Sequence, residues 1–153
     1  MADHGDNNIK ALSAGLNSAL ADYYTLYLKT KNFHWHVGGP HFREYHLLFD
    51  EQATQLIATT DIIAERVRKL GQETLRSIAD IIGQRSLDDD RDIKCDARKM
   101  IAALRDDNAI LVKRLKALKT LADAAGDNAT DGLMDDGTDE AEQRIWFLEA
   151  TLA

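Results

Sequence analysis

His46 and Asp50 stand four positions apart, and so do Asp61 and Glu65. On an α-helix this spacing sets both members of a pair on one face. At about 100° per residue, with His46 taken as zero, Asp50 falls at ~40°, Asp61 at ~60° and Glu65 at ~100°. The four side chains therefore share one sector. Imidazole with carboxylates suits Fe(II), Zn(II) or Mn(II) better than Ca(II) or Cu(I), and ligand type alone does not choose among the first three. The plain alternative is a set of hydrogen-bonded pairs on a helix surface.

The midpoints of the two pairs lie about 15 residues apart, or about 22 Å along a helix, whereas metal bonds to nitrogen and oxygen are about 2 Å. One chain cannot close a site with all four. Two copies of the helix packed antiparallel about a twofold axis near Gln55 and Leu56 would set His46 and Asp50 of one opposite Asp61 and Glu65 of the other. Such an isologous dimer makes two identical sites. The helix's own apolar stripe, Phe42, Tyr45, Phe49, Gln52, Leu56, Ile63, Val67 and Leu70, centres near ~270°, away from the ligand sector. Between the pairs that sector carries Ala53, Thr54, Ile57, Ala58 and Ala64, small or apolar residues unlike those of a solvated face. This second face predicts packing against another copy of the chain. A di-iron centre inside one bundle would need Glu-x-x-His on its helices, and no histidine here has Glu three positions before it.

Long helices must position these residues, and a chain of 153 residues with a single proline can supply them. A stripe of Ile9, Leu12, Leu16, Leu20, Tyr23, Tyr27 and Thr30 predicts a first helix ending near His36, before Gly38-Gly39-Pro40. The second carries the ligand types and stops at Gly71. Leu75, Ile78, Ile81 and Ile82, followed by the polar run Ser86 to Asp90, read as a crossover with a short helix. A third helix holds Ile101, Leu104, Leu111, Leu115, Leu118 and Ala122 and breaks at Gly126-Asp127-Asn128. A fourth holds Ile145, Trp146, Phe147, Leu148 and Leu152, with Trp146 and Phe147 expected in the packing. Two short joins and one long connection predict an all-α, ferritin-like four-helix bundle with a short extra helix in the crossover. The expected domain is single, over 1–153, with a short flexible tail over 1–8.

Composition narrows the functional classes. The formal net charge is -7, and Lys10 is the only Lys or Arg before Lys29, so gripping nucleic acid through its phosphates is disfavoured. Cys95 is the single cysteine, which fits a reducing, cytoplasmic setting. No uncharged run approaches the roughly 20 apolar residues of a membrane span. The residues from Met1 to Asp6 have no basic region before an apolar stretch, so no secretory signal is expected.

The run Lys31-Asn32-Phe33-His34-Trp35-His36-Val37, then Gly39-Pro40 and Phe42, then His46 to Glu51, Asp61 to Val67 and Leu70-Gly71, closely resembles the Dps family, the mini-ferritins named as DNA-binding proteins from starved cells. The likeness extends weakly through the third helix and again at Ile145 to Glu149. It implies a hollow homododecamer built from twofold dimers, with ferroxidase centres at the dimer interfaces. By motif, His34, His46 and Asp50 would come from one subunit and Asp61 and Glu65 from its neighbour. His34, Asp61 and Glu65 would hold the tighter iron; His46 and Asp50 would serve the second, with Glu65 bridging. Lys31 and Trp35 match positions beside the centre, Trp35 as an electron donor that intercepts radicals. The implied chemistry is oxidation of Fe(II) by hydrogen peroxide and storage of ferric oxide in the cage, protecting the cell from oxidative damage. Zn or Mn would bind the same ligands.

The family's threefold pores, through which acids attract Fe(II), fall near the junction of the third and fourth helices. Asp123, Asp127 and Asp131 are the candidates here, although Gly132 stands where a second pore acid is usual. The plain reading of these acids, with Asp135, Asp136 and Asp139, is a solvated turn and helix start. His4, His36 and His41 read as loop or surface residues, Asp88 to Asp90 as a solvated loop, and Cys95 as a helix-surface or buried thiol. Two other classes of function stand beside the ferroxidase: a nucleoid protein compacting DNA, disfavoured by the missing basic tail, and a helical scaffold binding metal without turnover.

Overall fold

The computed structural model describes residues 4–92 and 95–153. Its elements are α1 (His4–His36), α2 (Phe42–Lys69), α3 (Ile78–Gln84), α4 (Ala97–Ala124) and α5 (Asn128–Leu152), with no strand among the described residues. α1 and α2 form one hairpin, α4 and α5 another, and α1 packs on α4 to join them. The short α3 of the crossover lies against α1. This is the four-helix bundle with one long connection that the spacing predicts. Among the described residues, no helix is long and apolar enough to cross a membrane.

The core follows helical periodicity. Leu12, Leu16, Tyr23, Leu26 and Phe33 of α1 meet Phe49, Leu56, Ile63 and Val67 of α2, with Ile101, Leu104, Leu111 and Leu115 of α4 and Met134 and Leu148 of α5. α2 and α4 both end where glycine allows them to. After α2, Gly71 takes φ 78° and Gln72 N–H donates to the Val67 carbonyl at 3.2 Å. After α4, Gly126 takes φ 68° and Asp127 N–H donates to the Ala122 carbonyl at 2.9 Å. These are Schellman closures, which satisfy carbonyls that a helix end would leave orphaned. Ser77, Asp96 and Asp127 cap the starts of α3, α4 and α5 by accepting from backbone N–H groups.

Several polar residues sit inside. The Asp22 carboxylate is fully buried on α1 and accepts from Ser86 N–H at 2.6 Å, Ser86 Oγ at 2.7 Å and Leu87 N–H at 2.9 Å. Arg114 Nε stands 3.2 Å from it. This clamp fixes the crossover where it turns from α3. Lys29 Nζ pairs with Asp107 at 2.8 Å and donates to the Asp88 carbonyl at 3.0 Å; Asn32 Nδ2 donates to the Asp90 carbonyl at 3.2 Å. Burial pushes the Asp107 carboxyl above its usual range, against the pull of Lys29. In the bundle centre, buried Arg144 donates from Nε to Asn108 Oδ1 at 2.8 Å and from Nη1 to Gln55 Oε1 at 2.6 Å.

The structure departs from the sequence expectations in five places. Helix begins at His4, inside the span expected as a tail over 1–8: Asp6 sits in its first turn, and Asn8 Nδ2 donates to the Ala124 carbonyl at 2.9 Å, tying this end to the bundle. The side chain of His4 and residues 1–3 lie outside the described residues. Phe42, expected in the apolar stripe, is 44% exposed at the start of α2, with its ring against that of His46 rather than in the core. Ala53 is buried in its own bundle core and Ala64 packs against that core, so neither belongs to the second face, whereas Thr54 and Ala58 are exposed on it. Trp146 is 64% exposed and Phe147 is at the exposed boundary, the two meeting edge to face; Leu148 alone of that run turns into the core. Cys95 is half-buried in the loop before α4 rather than on a helix.

Candidate metal centre

The end of α1 and the start of α2 bring Lys31, His34, His46 and Asp50 together. The imidazoles of His34 and His46 stack, with centroids 3.8 Å apart and planes 13° apart. Each ring also reaches the other residue's backbone. His34 Nδ1 lies 2.6 Å from the His46 carbonyl, and His46 Nδ1 lies 2.7 Å from the His34 carbonyl. A carbonyl only accepts, so both Nδ1 atoms carry the proton and donate. In the neutral ring, the form that ligates a metal, this leaves the lone pair on Nε2, and an Nδ1–H held in this way fixes the tautomer.

The local reason is a helix end. The Phe33 carbonyl takes the last helical N–H, from Val37; that of His34 is beyond it and is taken by His46 Nδ1 instead. Asp50 stands one turn beyond His46 with Oδ1 3.8 Å from His34 Nε2. Lys31 Nζ donates to the same oxygen at 2.7 Å. That hydrogen bond is the chief reason the Asp50 carboxyl lies below its usual range; partial burial opposes it, and the charges of Lys31, His34 and His46 add to it. Asp50 is therefore an anion at neutral pH. Trp35, next to His34 in the chain, is 59% exposed.

Asp61 and Glu65 are not part of the cluster. Both are exposed further along α2, on the face that no helix of this chain covers. Among the described residues, no three His, Cys, Asp or Glu side chains of one chain converge as a metal site. The geometry is that of two separated half-sets on one helix.

The junction acids have distinct fates. The Asp127 side chain is 8% exposed; it caps α5 and pairs with Arg66 Nη2 at 2.9 Å, while Arg66 Nε donates to Thr130 Oγ1 at 3.1 Å. Burial alone would raise the Asp127 carboxyl; donation from the Thr130 hydroxyl and backbone, with Arg66 beside it, outweighs this and holds it below its usual range. Lys119 bridges Asp131 at 3.3 Å and Asp135 at 2.7 Å. Asp123, Asp136 and Asp139 are exposed, as are His36 and His41 and most of the 88–90 run.

Sequence reasoning did not find the paired Nδ1–carbonyl bonds, which no spacing rule encodes. It also passed over Arg144, although a visible signal existed: Ala141, Arg144 and Leu148 follow the core rhythm of α5, so a cation stands on an apolar stripe.

The profile of the ferritin-like domain matches residues 13–153. A DNA protection during starvation protein of Brevibacillus brevis is 34% identical over 137 residues, covering 90% of this chain and 91% of that protein. Antigen TpF1 of Treponema pallidum is 31% identical over 144 residues, covering 94% of this chain and 81% of its own. Among solved structures, Dps from Thermosynechococcus elongatus superposes with TM-score 0.95 at 25% identity, over 99% of this chain and 96% of the other. A Dps protein from Vibrio cholerae, described as a member of a broad superfamily of ferritin-like diiron-carboxylate proteins, superposes with TM-score 0.91 at 31% identity, over 96% and 92%. With this bundle, this crossover and relatives matched over nearly their full lengths, the chain belongs to the Dps family of ferritin-like proteins.

Proposed function

We propose that this protein stores iron and detoxifies it, oxidising Fe(II) with hydrogen peroxide at centres shared between two subunits. The observation that carries this reading is the half-site itself: two histidines with Nδ1 tied to backbone and Nε2 free, beside an ionised Asp50. Asp61 and Glu65 of a second copy would complete it. An antiparallel α2 pair brings them opposite the first set, and the exposed Thr54, Ala58 and Ile62 on that face are compatible with such a contact. The diiron-carboxylate description of the V. cholerae relative supports iron over zinc or manganese as the physiological ion.

Fe(II) is the substrate. One Fe(II) gives peroxide a single electron and releases hydroxyl radical and hydroxide. Two Fe(II) held side by side give one electron each; the O–O bond breaks, two protons are taken up, and two waters leave with two Fe(III). Few protein ligands per ion leave positions for water and oxidant. Lys31, bonded to Asp50 Oδ1 at 2.7 Å, would compete with an ion for that oxygen and leaves Oδ2 to ligate. Trp35, exposed and adjacent in sequence to His34, would supply an electron to a stray radical. A homododecameric cage in the cytoplasm, with Asp123, Asp127 and Asp131 near its threefold pores, belongs to the same proposal; Asp127, held by Arg66, contributes least to attracting ions.

Anaerobic addition of Fe(II), then peroxide, tests the reading. Ferric absorbance at one peroxide per two Fe(II), with no hydroxyl-radical adduct in a spin trap, is expected. Radical adducts at the level of free Fe(II) would refute it, and a scaffold holding zinc without turnover gives no fast ferric signal. Direct DNA binding is disfavoured by the charge of -7. Plasmid retarded at low salt and released by added salt would overturn that part.

A further inference from the structure

The stack at the half-site has a third ring. Phe42, one turn before His46 on α2, lies with its centroid 5.0 Å from that of His46 and its plane tilted by 30°. His46 is thus in contact with two rings, His34 at 3.8 Å and Phe42 at 5.0 Å. From the contacts and from the proposed metal centre, on which this inference rests, we propose that Phe42 is a positioning residue that holds the His46 imidazole for the metal.

Three features carry the argument. First, the Nδ1–H bond to the His34 carbonyl fixes one atom of the imidazole at 2.7 Å but leaves the ring free to tilt about that bond. Ring contacts remove that freedom. Second, Phe42 is itself placed by backbone: it is the first residue of α2, and its N–H donates to the Gly39 carbonyl at 3.1 Å. The turn between α1 and α2 therefore sets the Phe42 position and, through it, His46. Third, the phenyl ring has no donor or acceptor atom. It can restrain an imidazole without competing for its Nε2 or for the ion. Phe42 is 44% exposed, so the core does not account for an aromatic residue at this position.

The competing explanation is that Phe42 serves only contact between subunits. The two roles differ in what substitution does. A positioning ring can be replaced by another flat ring but not by an aliphatic side chain of similar bulk, and its loss changes metal affinity in particles that still assemble. Freeing one ordered side chain weakens binding by about three- to tenfold.

The test is an anaerobic Co(II) titration of the assembled protein, followed by its visible d–d absorption, for wild type, Phe42→Tyr, Phe42→Leu, Phe42→Met and His46→Ala. Light scattering on each confirms the particle. Expected is loss of one class of Co(II) site in His46→Ala, an affinity about three- to tenfold lower for that class in Phe42→Leu and Phe42→Met, and wild-type binding in Phe42→Tyr. If His46→Ala binds Co(II) as wild type does, the metal-centre reading itself fails. If His46→Ala loses the site but an assembled Phe42→Leu or Phe42→Met binds as tightly as wild type, the role of Phe42 alone is overturned. Equal weakening in Phe42→Tyr also overturns it, since the flat ring is then not the feature that matters.

Discussion

If each centre is assembled from two chains, two inactive variants should repair each other. Consider one variant lacking His34, His46 and Asp50 (all to Ala), and a second lacking Asp61 and Glu65 (both to Ala). Each alone has two broken sites per dimer, because every site needs one half from each chain. In a mixed dimer the two lesions fall together in one site, and the other site receives the intact first half of one chain and the intact second half of the other. An isologous dimer has two such sites. Random mixing in equal amounts makes about half the dimers mixed, each with one working site of two, so about a quarter of the wild-type fast Fe(II) oxidation should return. Co-expression with two affinity tags, native mass spectrometry to count mixed particles, and stopped-flow ferric absorbance with peroxide give the measurement. Mixed particles with no activity above the single variants would refute shared centres. So would full-speed oxidation in either variant alone.

Three further outcomes follow from the buried polar groups. Asp22→Ala should lower the stability of the assembled protein by about 3 kcal/mol, since two amides and a hydroxyl lose a charged acceptor; guanidinium unfolding at fixed protein concentration, against Asp22→Asn, measures it. Asp127 has its carboxyl held below the usual range, so its stabilisation is present above about pH 4 and is lost as pH falls through the lower folded value. Asp127→Asn should cost about 1–3 kcal/mol at neutral pH and flatten that part of the acid limb, as unfolding curves between neutral and acid pH would reveal. Burial is the main cause pushing the Tyr23 phenol up to about 12. Its contribution is complete below the ordinary tyrosine range near 10 and is lost as pH rises from there to about 12. Alkaline difference absorbance should show a tyrosine step near pH 12, and Tyr23→Phe should abolish it.

The helix count, the breaks at Gly71 and Gly126 and the separation of the ligand pairs were legible because each depends on spacing within one element. The periods of α1 and α4 leave little choice about which faces turn inward. What was not legible depends on how elements end and meet. Trp146 and Phe147 read as core by composition, yet consecutive helical positions point about 100° apart, and of these three only Leu148 turns into the core. Ala53 and Ala64 illustrate the same limit, since a small residue at the edge of two sectors belongs to whichever neighbour comes closer. His34 entered through family likeness rather than spacing. Its tie to His46 crosses the α1–α2 turn, and a rule based on intervals along one helix cannot span it.

The grip on the crossover has a consequence for how the chain can vary. Lys29 and Asn32 reach the carbonyls of Asp88 and Asp90, and a carbonyl is common to every amino acid, so those two positions can change identity while the tether survives. Asp22 reaches the amides of Ser86 and Leu87, which proline alone lacks. Divergence along this connector should therefore be broad at 88 and 90 and closed to proline at 86 and 87.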